Sequence, residues 1–220
     1  LKPQNTVRFA WWGAEESGLV GSTNYVNGLT QAERDRIALY LNFDMIASPN
    51  YIQMVYDADE SSFDAPAGVP IPPGSTAIEA LFGSFYTLRS EPYDDAQFTG
   101  RSDYQAFINN GIPAGGLFTG AEVRKTAEQQ AIWGGTAGEQ YDPCYHEACD
   151  TFANNNLHAL AINSDAVAFA VLTYAYSTET VNGVPGRKVP GKFTIPAPAG
   201  PEGTVGSGGG AAEHGHHDPS

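Results

Sequence analysis

Leu39-Tyr40-Leu41-Asn42-Phe43-Asp44 is a short, nearly continuous apolar run that closes on a carboxylate. Its length suits a strand, and its lack of alternation suits one buried on both faces. An acid at the end of such a strand must be paired or hydrogen-bonded, because isolated burial of charge is costly. A helix cap or a paired strand-end acid would meet that need as well as a functional site would. Phe43 and Met45 flank Asp44 and set an apolar rim beside the charge.

Reading outward, Thr30 with Glu33 three residues on forms a capping box that predicts a short helix through Ile37. Further upstream, Val7-Arg8-Phe9-Ala10-Trp11-Trp12 is β-branched and aromatic and stops at Gly13, so a buried strand is expected there. Downstream, Tyr51 to Tyr56 reads as a third strand and Gly115-Gly116-Leu117-Phe118 as a fourth. Ile78, Leu81, Phe82 and Phe85 recur at helical spacing after Ser75, and Val167, Ala170, Val171 and Tyr174 mark one face of a closing helix. Strands alternating with helices predict an α/β domain with a largely parallel sheet. In such folds, sites gather at the carboxyl ends of strands.

The 220 residues carry 11 Lys+Arg against 25 Asp+Glu, a formal charge of −14. That length predicts one domain with an appendage. The acidic balance excludes a phosphate-binding footprint, so no nucleic-acid partner is expected. It also disfavours docking on anionic lipid. No run of 18 or more apolar residues occurs, so no segment is expected to span a membrane. Residues 180–220 hold 10 Gly and 6 Pro in 41 residues, which reads as a disordered linker or tail after a domain over 1–179. The tail ends in His214, His216 and His217, read as an exposed His-rich terminus.

Glu15 and Glu16 directly follow the first expected strand. Adjacent loop residues project in different directions, so one carboxylate can hold a metal while the other faces a bound water. Metal-assisted hydrolysis needs that division of labour. By spacing alone, a solvated Glu pair is the better fit. Cys144-Tyr145-His146-Glu147-Ala148-Cys149 holds both cysteines of the chain, too few for a zinc ribbon. A small disulfide loop there would present His146 as a ligand and Tyr145 as a phenol donor, although a surface His and a packing Tyr remain open. Arg101 could clamp a carboxylate or pair with Asp103. No nucleophile elbow, Walker loop or dinucleotide glycine fingerprint occurs.

Val7 to Gly21 (VRFAWWGAEESGLVG), Asn42 to Asn50 (NFDMIASPN), Gly100 to Asp103, Gly115 to Gly120 (GGLFTG), Trp133 to Gly138 (WGGTAG) and Cys144 to Asp150 (CYHEACD) occur in one order. Together they closely resemble the secreted zinc aminopeptidases of streptomycetes. That co-catalytic zinc peptidase family also includes bacterial leucyl aminopeptidase and glutaminyl cyclases. The resemblance implies a three-layer, zinc-exopeptidase-like α/β domain with a largely parallel mixed sheet flanked by helices. It implies Glu15 as general base, Glu16 and His146 as ligands of one zinc, and Asp44 as a ligand of the other. Tyr145 would polarise the scissile carbonyl, Arg101 would contact substrate, and Met45 and Phe118 would wall an apolar side-chain pocket. Cys144 and Cys149 would form the family's disulfide.

The family also uses a His-x-Asp pair upstream of the Glu-Glu motif, and no His precedes position 146 here. The expectation is therefore an N-terminally truncated domain, with two zinc ions in the intact form. For calcium, Asp165 matches one family ligand, but Ala161 stands where another Asp is expected. The function implied is removal of large apolar N-terminal residues from peptides or proteins by a secreted monomer. Alternatives are a glutaminyl cyclase-like or carboxypeptidase-like member, or an incomplete fragment acting as a binding module.

Overall fold

In the computed structural model, which describes residues 2–192 and 194–205, β1 (Tyr40–Phe43), β2 (Met54–Tyr56), β3 (Asp94–Ala96) and β4 (Ala114–Phe118) form one sheet. The strand order is β1-β4-β2-β3. The β1–β4 and β2–β3 pairings are parallel and β2–β4 is antiparallel, so the sheet is mixed, as expected. Alternation along the strands builds a layer on each face. Val55 and Leu117 face α3 (Ser75–Arg89) and α6 (Leu157–Tyr176), packing with Ile78, Phe82, Ile162 and Ala166. Fully burying Ile78 or Phe82 contributes about 1.5–3 kcal/mol each. Met54, Tyr56, Ala114 and Phe118 face the other way, toward Tyr104, Ile108 and Trp133. Ile108 lies on α4 (Gln105–Asn109) and Trp133 ends α5 (Ala127–Trp133).

Local chemistry explains the helix starts. Thr30 and Glu33 make both halves of the capping box at α2 (Gln31–Arg34), which ends short of the expected Ile37. Asn156 Oδ1 accepts from the N–H groups of His158 and Ala159 and starts α6. A Cβ on Gly115 would lie 2.6 Å from the Ile78 side chain, so glycine lets α3 close on the sheet. A smaller cluster of Val26, Phe107 and Ile112 joins α1 (Val20–Gly28) to α4. Phe107 stacks on Tyr40 with ring centroids 3.9 Å apart.

Three expectations meet the structure differently, the first and third being revised. Residues 7–12 form no strand among the described residues. Their composition is strand-like, but a strand needs a ladder partner, and Phe9 and Trp11 are 64% and 88% exposed instead. Val7 and Phe9 line an open apolar groove with Val167, Val171 and Leu172 of α6. Second, α6 is by length and composition apolar enough to cross a membrane. Its apolar run is broken by His158, Asn163, Ser164 and Asp165, so no unbroken apolar stretch marks it in the sequence. One of its faces is buried on α3.

Third, the Gly/Pro-rich segment is held against the domain over part of its length. Ala199 N donates to Thr87 Oγ1 at 2.9 Å. Gly203 N and Thr204 N donate to the buried Asp94 carboxylate at 3.2 and 2.8 Å, and Thr204 Oγ1 does so at 2.5 Å. Val205 is buried with Phe98 and Trp133. Composition registers the cost of ordering this segment but not a buried acid that needs donors. Residues 206–220, with His214, His216 and His217, lie outside the described residues.

Candidate metal centre

The loop Gly13 to Gly18 is folded back on itself ahead of α1. Gly18 N and Leu19 N donate to Glu15 O at 3.0 and 2.7 Å, and Gly21 N donates to Gly13 O at 3.1 Å. Ala14 takes φ of 56°, an uncommon left-handed conformation for a residue with a Cβ. These constraints aim Glu15 and Glu16 differently: Glu15 is half-buried and Glu16 exposed. Across from it, Cys144 and Cys149 form a disulfide with Cα atoms 5.3 Å apart. Inside that ring His146 adopts φ of 59°, and its ring lies edge-on to Tyr145 with centroids 4.1 Å apart.

His146 Nε2 and Glu16 Oε1 are 3.2 Å apart although 130 positions separate them. Tetrahedral zinc with bonds of ~2.0–2.1 Å places adjacent ligand atoms roughly 3.3 Å apart. The pair therefore fits two ligands of one zinc, in both chemistry and spacing.

Asp44 leaves the end of β1. Its Oδ2 accepts from Ser102 Oγ at 2.9 Å, and that hydroxyl accepts from Asn42 Nδ2 at 2.9 Å. Tyr40 OH donates to Asn42 Oδ1 at 3.1 Å and accepts from Trp12 Nε1 at 3.0 Å. The chain of bonds runs from α4's entry through β1 and fixes the carboxylate. Met45, at φ of 57°, follows. Its carbonyl accepts from Thr119 N and Thr119 Oγ1 at 2.9 and 2.6 Å, which ties the end of β1 to that of β4. Met45 is half-buried at the core edge, whereas Phe118 is fully buried within it.

Tyr145 connects the groups. Burial, reinforced by the charges of Glu122 and Glu16 and opposed by Arg101, holds its phenol well above the ordinary range, and Asp44 adds to the rise. Glu16, Asp44, Arg101, Tyr145 and His146 therefore share one electrostatic neighbourhood. Two of its members were not singled out in the sequence. Ser102 lies within the Gly100 to Asp103 stretch, between Arg101 and Asp103, but a serine carries no signal of what it will bond. Glu122 sits on the loop after β4 with one carboxylate oxygen buried and lacking a hydrogen-bond partner. Only tertiary placement brings it to Tyr145.

Known proteins resemble this chain in both sequence and fold. An aminopeptidase of Pseudomonas aeruginosa is 53% identical over 180 residues, which is 82% of this chain and 33% of that protein. A probable leucine aminopeptidase 2 of Aspergillus fumigatus is 54% identical over 178 residues, 81% of this chain and 35% of that protein. The chain thus spans about a third of the length of these curated relatives. In fold, it resembles a zinc aminopeptidase from Bacillus subtilis with a TM-score of 0.54 at 23% identity, over 74% of this chain and 34% of that one. An aminopeptidase from Aneurinibacillus sp. strain AM-1 gives 0.52 at 22% identity, over 86% and 35%. Peptidase family M28 matches residues 1–171, a span that holds the Glu16–His146 pair, Asp44 and the whole sheet. The chain belongs to peptidase family M28.

Proposed function

We propose that residues 1–179 form part of a zinc aminopeptidase catalytic domain that hydrolyses the first peptide bond of peptides and proteins. The observation that carries this reading is the Glu16–His146 pair, 3.2 Å apart beside Tyr145. Glu16 and His146 hold one zinc, and Asp44 supplies a ligand to a second in the intact domain. The bound metal supplies a water whose pKa is lowered to roughly 7 and a Lewis acid for the carbonyl oxygen.

The chain's own residues do the rest. Glu15 takes the proton of the attacking water and returns it to the leaving amine. The Tyr145 hydroxyl donates to the carbonyl oxygen as negative charge develops there. Arg101, also near Tyr145, contacts substrate. Met45, backed by the buried Phe118, presents an apolar wall that favours large apolar N-terminal residues, a preference in keeping with the leucine aminopeptidase relatives. The disulfide is consistent with a secreted protein, read here as a monomer.

The test is leucyl-anilide hydrolysis with parallel measurement of bound zinc. Glu15→Gln abolishes turnover and leaves zinc content largely intact. Retained turnover in that variant would overturn the assignment of Glu15.

A further inference from the structure

Away from Glu16, Asp44 and His146, the carboxylates of Asp57, Asp59 and Glu79 meet near the carboxyl ends of β2 and β3, and Asp95 lies beside them. Parallel pairing sets Asp95 beside Val55, and Asp57 N donates to Ala96 O at 2.9 Å. Alternation turns Val55, Asp57 and Asp95 to the sheet face covered by α3, which supplies Glu79. Ligand oxygens of Asp57, Asp59 and Glu79 all lie within 4.8 Å of one another. Among the described residues, no Lys or Arg forms an ion pair with any of the four. Their partners are N–H groups instead: Ala58 and Asp59 donate to Glu79 Oε2, Ser61 to Asp57 Oδ1, and Ser62 and Phe63 to Asp57 Oδ2.

Asp95 is an independent pointer to a ligand. It is 0% exposed, and its Oδ1 is buried with no hydrogen-bond partner. Its Oδ2 accepts from Ser62 Oγ at 2.6 Å, while Ser62 N donates to Asp57 Oδ2 at 2.9 Å, so both carboxylates flank one serine. A buried carboxylate oxygen without a donor is costly. A cation would satisfy it and balance its neighbours.

We propose that Asp57, Asp59 and Glu79, with the buried Asp95 beside them, form a binding site for a hard divalent cation of the calcium class. The donors are all carboxylate oxygens, the set suited to calcium, whereas zinc is drawn to nitrogen and sulfur. Asp57, Asp59 and Ser61 also repeat the spacing of the first ligands in calcium-binding loops. Asp59 is exposed and Glu79 half-buried, which leaves an entrance from solvent. Burial, reinforced by the charges of neighbouring acids, raises the Glu79 carboxyl to about 8 and that of Asp95 to about 6. Asp165, the residue that matches a family calcium ligand, is elsewhere, 3.3 Å from Arg89 on the surface.

Calorimetric titration of the EGTA-treated full chain with calcium chloride tests the site, with folding checked by circular dichroism. One calcium per chain is expected. Asp59→Asn and Glu79→Gln each weaken binding at least about tenfold, since affinity follows ligand charge, and Glu16→Gln leaves it unchanged. Asp59 is exposed, so its variant keeps the test decisive even where a buried substitution unfolds the chain. Absence of saturable binding at about 1 mM calcium, or unchanged affinity in both cluster variants, overturns the proposal. So does loss of calcium binding in Glu16→Gln. Hydrolytic activity is not a readout, so this outcome and that of the aminopeptidase test are separable.

Discussion

Ser102 Oγ donates to Asp44 Oδ2 at 2.9 Å from a fully buried position. The bond orients a carboxylate that would otherwise rotate at the end of β1. Partners that orient metal ligands typically carry 10–100-fold in metal affinity or activity. Ser102→Ala is therefore expected to weaken zinc binding by about 10–100-fold. It also leaves Asn42 Nδ2 without its 2.9 Å acceptor, a loss of about 1–3 kcal/mol in folding stability. Zinc titration together with urea unfolding measures the two effects separately.

Tyr145 touches the His146 ring but is assigned no metal. If its hydroxyl donates to the developing oxyanion, Tyr145→Phe reduces kcat by roughly 10²–10³, with zinc content and KM little changed. The phenylalanine keeps the ring contact, so a structural role alone predicts near-normal kcat. Steady-state kinetics on leucyl anilide beside metal analysis separates the two roles.

Thr204 is tied to Asp94 through both its N–H and its hydroxyl. Asp94 is 0% exposed, and its other donors are Gly203 N and Asp95 N. Thr204→Val keeps the side-chain shape and the backbone donor and removes only the hydroxyl. Hydrogen bonds to charged groups contribute about 1.5–3 kcal/mol, so a stability loss of that size is expected on urea unfolding. No change would mean that the segment rests on Asp94 without stabilising it.

The strands over 40–43, 54–56 and 114–118 were legible because apolar runs bounded by turns report directly on burial. The helix after Ser75 was legible from its periodicity. Val7 to Trp12 misled for the complementary reason: side-chain chemistry signals strand preference but not whether an edge is there to pair with. The order of motifs pointed to Glu16, Asp44 and His146, but the 3.2 Å approach of Glu16 to His146 is a tertiary fact. The same holds for the cluster at Asp57, Asp59, Glu79 and Asp95. Those acids are scattered over 39 positions and share a face only through β2–β3 register and the seat of α3.

Lys125 is buried, and its Nζ donates to Tyr51 O and Gly134 O at 2.7 and 2.8 Å while lying over the Tyr51 ring. No carboxylate pairs with it among the described residues, and desolvation lowers it from 10.5 to about 8. Below that value the lysine is protonated in both the folded and the unfolded chain, so its effect on stability is constant. Between about 8 and 10.5 the unfolded chain holds more protons on this residue than the folded one, so stability rises with pH. Lys125→Met removes the titration. The unfolding free energy of the parent should therefore grow relative to the variant between pH 8 and 10, measured in urea at several pH values. A difference that stays flat across this window would show that Lys125 keeps an ordinary lysine's proton affinity in the folded protein.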